Sequence, residues 1–515
     1  MATAAIRVEV EEHPALVGGF AALAESSWMG AAQASDVLEP INIRFRRRRS
    51  VAPRVPRLHL GALLTREFSI AEASFLLMAS FFLSAVLGAG RQILFNAQFG
   101  AGPDASAYYA AFRLPDTLFS LIAGGALSSA MIPVLLSTRR DDGDAATWRL
   151  TNLVLNLLLA VFATIVVLGE LLAPAFVQHV LAPGFNRSTS DLTVTLTRLM
   201  LLQPVILAVG SVATAVLNSR NQFLLTALSV ASHNIGLIAG ITATHIHPAL
   251  GIYGPACGVV AGAVLQVLVL LPGLRGFNYR PVLELADVRL REVVRLLIPN
   301  GLAVGVLYAG FIIDTAFASQ ARESAALPAL QNAFMLVGLP IALLGQAVGQ
   351  SAFPRLADSA ATGEWAQMRH VLWRTFGFVV ALAIPIVLVL VFLGRTVIRI
   401  LFEHGKYGVG ASDLTYHVLV AYAIALPAYV ATEVVTRGLI SLRDTRTPLL
   451  TNTMQIVGRA LIMFLFVGSA GVLTIPRAFA IMATVETLVL GSVLLMKLRG
   501  KTSAPRAPEP LHAVS

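Results

Sequence analysis

The stretch LFSLIAGGALSSAMIPVL (Leu118–Leu135) recurs in altered form as LPIALLGQAVGQSAFPRL (Leu339–Leu356), 221 positions later. Two shorter matches have nearly the same offset, 220 and 223 positions. They pair VLGAG (86–90) with VLYAG (306–310), and LNSRN (217–221) with ISLRD (440–444). Three matches at almost one offset predict a duplicated bundle. Many secondary transporters are built in this way, with the substrate site between the two halves.

The composition is that of a membrane protein. Mean hydropathy is +0.76, and 56% of the residues are hydrophobic while only 13% are charged. Twelve apolar runs reach the roughly 20 residues that a helix needs to cross the hydrocarbon. The sequence therefore predicts an all-α polytopic membrane protein with about twelve transmembrane helices in two six-helix repeats.

The basic residues are distributed unevenly between the loops. Loops on one predicted side carry eighteen Lys and Arg residues, and those on the other side carry six. Cytoplasmic loops have this excess, so both termini are predicted to be cytoplasmic. An even number of spans in each half makes the repeats parallel. The excess of basic residues in the cytoplasmic loops also explains the net charge of +10. We therefore expect no nucleic-acid partner.

These observations divide the chain into five predicted parts. Residues 1–70 form a cytoplasmic basic tail that is disordered, and residues 501–515 form a second cytoplasmic tail. Helices 1–6 occupy residues 71–275, a cytoplasmic linker follows at 276–289, and helices 7–12 occupy residues 290–500. The first tail contains the run Arg46–Arg49. That run can attract anionic lipid or merely reinforce the orientation of the chain.

Several kinds of chemistry find no support in the sequence. The chain has one cysteine, Cys257, so it has neither an intrachain disulfide nor a cysteine-rich metal site. It contains no phosphate-binding G-x-x-x-x-G-K-[ST] loop and no H-E-x-x-H zinc motif. We therefore expect a transporter and not an enzyme, with no cofactor and no metal.

Charged residues within apolar spans are costly and usually face a cavity. Arg91 and Arg113 are candidates to bind phosphate, because a guanidinium contacts it at two points. Gln92 and Asp104 complete the predicted substrate site, although Asp104 could instead favour the start of the second helix. Asp314 and Glu433 are candidates for ion coupling. Other intramembrane charges, Arg459 among them, are expected to pair or snorkel near helix ends.

Five motifs, which follow one another in family order, resemble those of the MviN/MurJ lipid II flippase family. They are FGAGPDASAYYAAFRLPDTL (99–118), LAPGF (181–185), AVLNSRNQF (215–223), LFEHGKY (401–407) and SLRDTRTP (441–448). The resemblance implies two six-helix lobes that form a V and open alternately to each side of the bacterial plasma membrane. It implies a substrate that is an undecaprenyl-pyrophosphate-linked cell-wall precursor.

The chain departs from the family pattern at several charged positions. The resemblance places an Arg where this chain has Ala85, and an Asp where it has Gln92. Two further cations and a carboxylate are missing at Phe119, Ser120 and Gly124, and an Asp-Arg pair is replaced by Phe334 and Met335. The resemblance also implies two more C-terminal helices, which this chain lacks. Whether a chamber with fewer charges still moves the precursor is left open.

The leading hypothesis is a lipid II-like flippase that works by alternating access without ATP hydrolysis. A cation-coupled exporter of small amphiphiles is an alternative, in which Asp314 or Glu433 carries the ion. A second alternative is a membrane scaffold that keeps the fold without transporting. Membrane lipids, and envelope-synthesis proteins recruited through the basic tail, are the other expected partners.

Overall fold

The computed structural model describes residues 70–123 and 126–501, and within these ranges all regular secondary structure is helical. The predicted tails, residues 1–70 and 501–515, lie outside the described residues except for Ile70 and Lys501, and Gly124 also lies outside them. The α-helices are α1 (Ile70–Phe99), α2 (Pro103–Ala123), α3 (Ala126–Phe176), α4 (Arg187–Met200), α5 (Leu202–Ser219), α6 (Phe223–Ile246), α7 (Tyr253–Leu270), α8 (Val288–Ser319), α9 (Ala326–Pro340), α10 (Val348–Ala361), α11 (Trp365–Phe402), α12 (Val409–Ser441), α13 (Arg446–Ala470) and α14 (Thr474–Leu498).

Among the described residues, ten helical stretches are long and apolar enough to cross a membrane. Two of them, Pro103–Leu181 and Arg446–Leu498, have 79 and 53 residues. Each exceeds the length of a single crossing, and each is interrupted by a glycine with positive φ, Gly143 or Gly471. Large apolar side chains on the outer helix faces, such as Phe82, Phe392 and Phe464, are exposed. The all-helical membrane fold is thereby confirmed, while the count of twelve crossings stays a prediction.

Backbone turns recur between the two parts of the chain. Residues with positive φ form four pairs that are 220 to 224 positions apart: Gly143 with Gly363, Asn221 with Arg443, Gly251 with Gly471, and Gly276 with Gly500. Asn221 and Arg443 also have matching hydrogen bonds to the ends of α5 and α12. These two turns are 222 positions apart, whereas the sequence match between LNSRN and ISLRD has an offset of 223. These pairs agree with a duplicated bundle. The parallel relation of the repeats remains a prediction.

The helix α8 packs against both parts of the bundle. Near its start, Leu290 and Val293 lie in a hydrophobic core with Leu135 and Leu150 of α3. Nearer its end, Asp314 contacts α13. We use "first half" for α1–α7 and "second half" for α8–α14. The predicted boundaries of the linker, 276–289, stay a prediction.

Two polar caps fix helix starts in the loops. The Asp287 side chain accepts a hydrogen bond from the Leu290 amide at the start of α8. Asp444 accepts bonds from the amide and hydroxyl of Thr447 at 3.0 and 2.6 Å, and it pairs with Lys497 of α14 at 2.9 Å. Burial raises the pKa of Asp444, but these bonds and the Lys497 ammonium outweigh burial and lower it overall. Asp444 therefore joins the α12–α13 turn to α14.

Replacing this cap should weaken the second half. We expect Asp444→Ala to lower the free energy of unfolding by about 1 kcal/mol, because a helix start loses its side-chain acceptor. Thermal unfolding in detergent checks this. Asp191→Ala is the matched control, since the Asp191 side chain makes no hydrogen bond or ion pair within the described part of the chain. Equal melting temperatures for both variants would contradict the assigned role.

Candidate functional site

A buried network of amides and hydroxyls joins the two halves at one end of the bundle. Gln92 of α1 donates to Asn332 of α9 at 2.7 Å and to Tyr109 of α2 at 2.5 Å. Asn96 also donates to Asn332, at 3.0 Å. The Asn332 amide nitrogen donates to Tyr407 at 2.9 Å. We call these five residues the amide network. Each of these hydrogen bonds takes the place of a bond to water for a buried polar group. Separating the halves here would therefore leave these polar atoms without partners.

Backbone contacts surround the amide network and close the same end of the molecule. Three further hydrogen bonds among the described residues cross between the halves here and involve backbone atoms: Lys406 N to Ala97 O at 2.8 Å, Gly184 N to Ser319 Oγ at 3.0 Å, and Ser106 Oγ to Ser324 O at 3.0 Å. We call this region the sealed end. At the opposite end, the hydrogen bonds and ion pairs between the halves come from α8 and the segment before it, as in Asn300 to Ser129 at 3.3 Å.

Glycines allow the backbones to touch at the sealed end. A methyl group on Gly184 would overlap the carbonyl oxygen of Ser319, and one on Gly405 would overlap the carbonyl oxygen of Ala97. Gly184 belongs to the LAPGF motif and Gly405 to the LFEHGKY motif. Both motifs thus form the seal, a role that the sequence alone did not reveal.

Arg113 lies just inside the sealed end and crosses between the halves. Its Nε donates to Thr315 of α8 at 3.1 Å, and its Nη2 donates to Gln331 of α9 at 3.0 Å. The guanidinium carbon lies 5.6 Å from the centre of the Phe311 ring. This predicted substrate residue therefore binds the second half in the present conformation.

Arg91 is half-buried, and within the described ranges no hydrogen bond or ion pair reaches its guanidinium. Its electrostatic neighbours are Tyr108, Tyr109 and Asp116 of α2 and His233 of α6. These neighbours all belong to the first half. Asp116 is also an electrostatic neighbour of Arg113. The two predicted phosphate-binding arginines thus interact electrostatically with the same carboxylate.

Three of the other predicted site residues, Asp104, Gln92 and Glu433, form no bond with either arginine within the described part of the chain. Asp104 is exposed in the first turn of α2, where its charge favours the helix start, and it pairs with neither arginine. Gln92 belongs to the amide network. Glu433 lies 3.7 Å from Arg437 on the next turn of α12 and packs against Gly345.

Arg459 was expected to pair or snorkel near a helix end. It does form a pair, but the predicted position near a helix end is wrong. The residue lies in the middle of α13 and is only 6% exposed. Its Nε is 3.5 Å from Asp314 Oδ1 on α8, and its guanidinium lies against Phe479 and Gly310. Buried charges are retained only when paired. The sequence did not reveal the pair because 145 residues separate its members.

Aromatic rings fill the region where the family pattern has an Asp-Arg pair. The Phe334 ring packs edge-on against Phe311 and Tyr422, with centroids 5.3 and 5.8 Å away. A cavity of about 20 Å³ remains between these rings, Arg113 and Asp314. It has room for about one water molecule. A larger polar group can reach this place only if the halves separate.

The fold is similar to that of two solved membrane transporters. The model resembles the solved structure titled "Lipid II flippase MurJ, inward closed conformation", with a TM-score of 0.70 and 21% identity over 82% of this chain and 90% of that chain. It also resembles an inward-facing multidrug resistance MATE transporter of the MOP superfamily, with a TM-score of 0.70 and 13% identity over 82% of this chain and 96% of that one. These likenesses show that the chain shares the fold of both solved structures.

The sequence profile described as "Lipid II flippase MurJ" matches residues 95–505. The "Lipid II flippase MurJ" of Burkholderia cenocepacia is 28% identical over 416 residues, 79% of this chain and 80% of that protein. The "Probable lipid II flippase MurJ" of Rhizobium tropici is 28% identical over 391 residues, 74% of this chain and 73% of that protein. The chain belongs to the MurJ family.

A side chain at position 184 should open the sealed end. In a Cys257→Ser background, the pair Ala97→Cys and Lys406→Cys reports contact between the halves through disulfide formation. We expect Gly184→Val to slow this cross-link about tenfold, because overpacking of a close contact typically costs one to three kcal/mol.

Gly102→Ala is the control for Gly184→Val, because a methyl group there meets no atom within 4 Å. An unchanged cross-linking rate in the Gly184→Val chain would mean that the LAPGF contact does not hold the halves together.

Loss of Arg459 should destabilise the second half. Arg459→Ala leaves Asp314 buried without its partner, and breaking a buried pair costs about 3–5 kcal/mol. We expect a lower unfolding temperature in detergent, with partial recovery in the double variant Asp314→Leu/Arg459→Met. A single variant as stable as the natural chain would show that the pair contributes little.

Proposed function

We propose that the chain is a flippase. It moves an undecaprenyl-pyrophosphate-linked cell-wall precursor, similar to lipid II, from the inner to the outer leaflet of the bacterial plasma membrane. It works by alternating access and does not hydrolyse ATP. Membership of the MurJ family supports this assignment. The observation that carries it is Arg91, an arginine inside the bundle with no partner among the described residues, next to a polar seal between the halves.

The charge distribution supports an orientation for the proposed cycle. Loops at the sealed end hold few of the basic residues, and the opposite end holds most of them. By the positive-inside rule the sealed end is periplasmic and both termini are cytoplasmic. The present conformation is then closed to the outside. The substrate headgroup would enter from the cytoplasmic side.

Arg91 and Arg113 are the proposed partners of the pyrophosphate. A guanidinium binds phosphate oxygens in a two-point contact, and a pyrophosphate buried without partners would be unstable. Arg91 is available without breaking any existing bond, whereas Arg113 must leave Thr315 and Gln331. Two arginines that interact electrostatically with Asp116 thus form a smaller anion site than the family pattern implies.

Cation coupling has less support than the flippase assignment. Both candidate carboxylates, Asp314 and Glu433, lie beside an arginine. A coupling cation would have to compete with that guanidinium. Membrane potential is a sufficient source of energy in principle, because it supplies about 2.3 kcal/mol per unit charge per 100 mV. A cycle that stops without Na⁺ would favour the exporter.

The decisive test replaces a host's own flippase. We expect the natural chain to restore wall synthesis in cells depleted of their lipid II flippase, and Arg91→Ala to abolish the rescue at equal expression. Arg477→Ala is the control, because Arg477 is exposed on α14 and has no ion pair within the described ranges. Full rescue by Arg91→Ala would refute the role of Arg91. Failure of the natural chain would count against the flippase itself.

A further inference from the structure

Arg113 has two possible sets of partners, and both cannot be satisfied at once. In the sealed conformation its guanidinium bonds to Thr315 and Gln331, which both belong to the second half. Its own helix, α2, belongs to the first half. Arg113 is therefore one of the groups that hold the halves together, in addition to its proposed contact with pyrophosphate.

The acceptors that now hold Arg113 are a neutral hydroxyl and a neutral amide. Hydrogen bonds between two ionised groups are shorter and stronger than those with one neutral partner, and phosphate oxygens suit the guanidinium fork. A phosphate group that arrives near Arg113 therefore offers it better acceptors than Thr315 and Gln331 do.

Arg91 and Arg113 lie on neighbouring helices that contact each other. Gln92, the residue after Arg91, donates a hydrogen bond to Tyr109, one turn before Arg113 on α2, and both arginines interact electrostatically with Asp116. We therefore expect a pyrophosphate bound to Arg91 to come within reach of Arg113. Asp314 is the other anion near Arg113. However, Asp314 already faces Arg459 at 3.5 Å, so it competes only partly for Arg113.

We propose that Arg113 is a latch that the substrate releases. An incoming pyrophosphate draws the guanidinium away from Thr315 and Gln331, which removes two bonds between the halves at the sealed end. The remaining amide network is neutral and opens more easily. Binding of the substrate thus favours the conformation that is open to the periplasm. The reason is that the substrate binds better when Arg113 has left its partners in the second half. This inference rests on the proposed function.

The test measures the separation of the halves by double electron–electron resonance in lipid nanodiscs. Spin labels are attached at His247→Cys and Arg322→Cys, both exposed loop positions, in a Cys257→Ser background. Undecaprenyl pyrophosphate is the probe, and its binding is measured separately by native mass spectrometry. We expect the probe to lengthen the label distance in the otherwise natural chain.

Two variants change the latch in opposite directions and leave Arg113 in place. Thr315→Val/Gln331→Leu removes its acceptors. This variant should raise the open fraction about tenfold without probe, while binding of the probe persists. Gln331→Glu gives Arg113 a charged acceptor and should keep the halves closed at probe concentrations that open the natural chain. Thr164→Val/Gln367→Leu, at exposed positions on α3 and α11, is the matched control and should behave like the natural chain.

The possible results test the latch and the proposed flippase function separately. Binding of the probe without a change in distance, or the same response from the natural chain and both latch variants, would overturn the latch and leave the proposed function standing. No binding to the natural chain would overturn both. A variant that is open without probe, together with a Gln331→Glu chain that resists opening, would support the latch.

Discussion

Buried polar groups in hydrocarbon need partners, and this constraint determines how the two halves meet. At the sealed end, the amides of Gln92, Asn96 and Asn332 and the hydroxyl of Tyr407 satisfy one another across the interface. Lipid cannot replace these bonds. The halves can therefore separate only if water or a polar ligand takes over the freed groups. A transporter that opens alternately to each side needs such an interface, stable when paired and separable when hydrated.

The charged residues inside the bundle fall into two classes under the same constraint. Asp314 and Arg459 pair within the second half and stabilise it. Arg91 has no partner of this kind, and Arg113 has neutral partners that belong to the other half. The unpaired and weakly paired arginines are the ones that an anionic headgroup can recruit. The resemblance to the family implies charges where this chain has Ala85, Phe119 and Met335. Under the proposed function, Arg91 and Arg113 are therefore the main cationic contacts of the headgroup.

Much of the fold follows from the sequence. Apolar length predicts the helices, and the repeat predicts turns that match between the halves, such as those at Asn221 and Arg443. The site was harder to predict. Asn332 looks like one polar residue in an apolar span, and nothing local shows that it meets Gln92, 240 positions earlier. The position of Arg459 was predicted wrongly for the same reason, because its partner Asp314 lies on a helix that is distant in the sequence. Partners that come from distant helices depend on packing, which periodicity does not encode.

The central claim is that Arg91 faces a polar chamber that is closed at the sealed end and reached from the other. The most direct measurement is the reaction of Arg91→Cys, in a Cys257→Ser background, with a charged thiol reagent added to either side of the membrane. We expect rapid reaction from the cytoplasmic side and slow reaction from the periplasmic side. Reaction with lipid-soluble reagents alone would place position 91 in the bilayer and contradict the account.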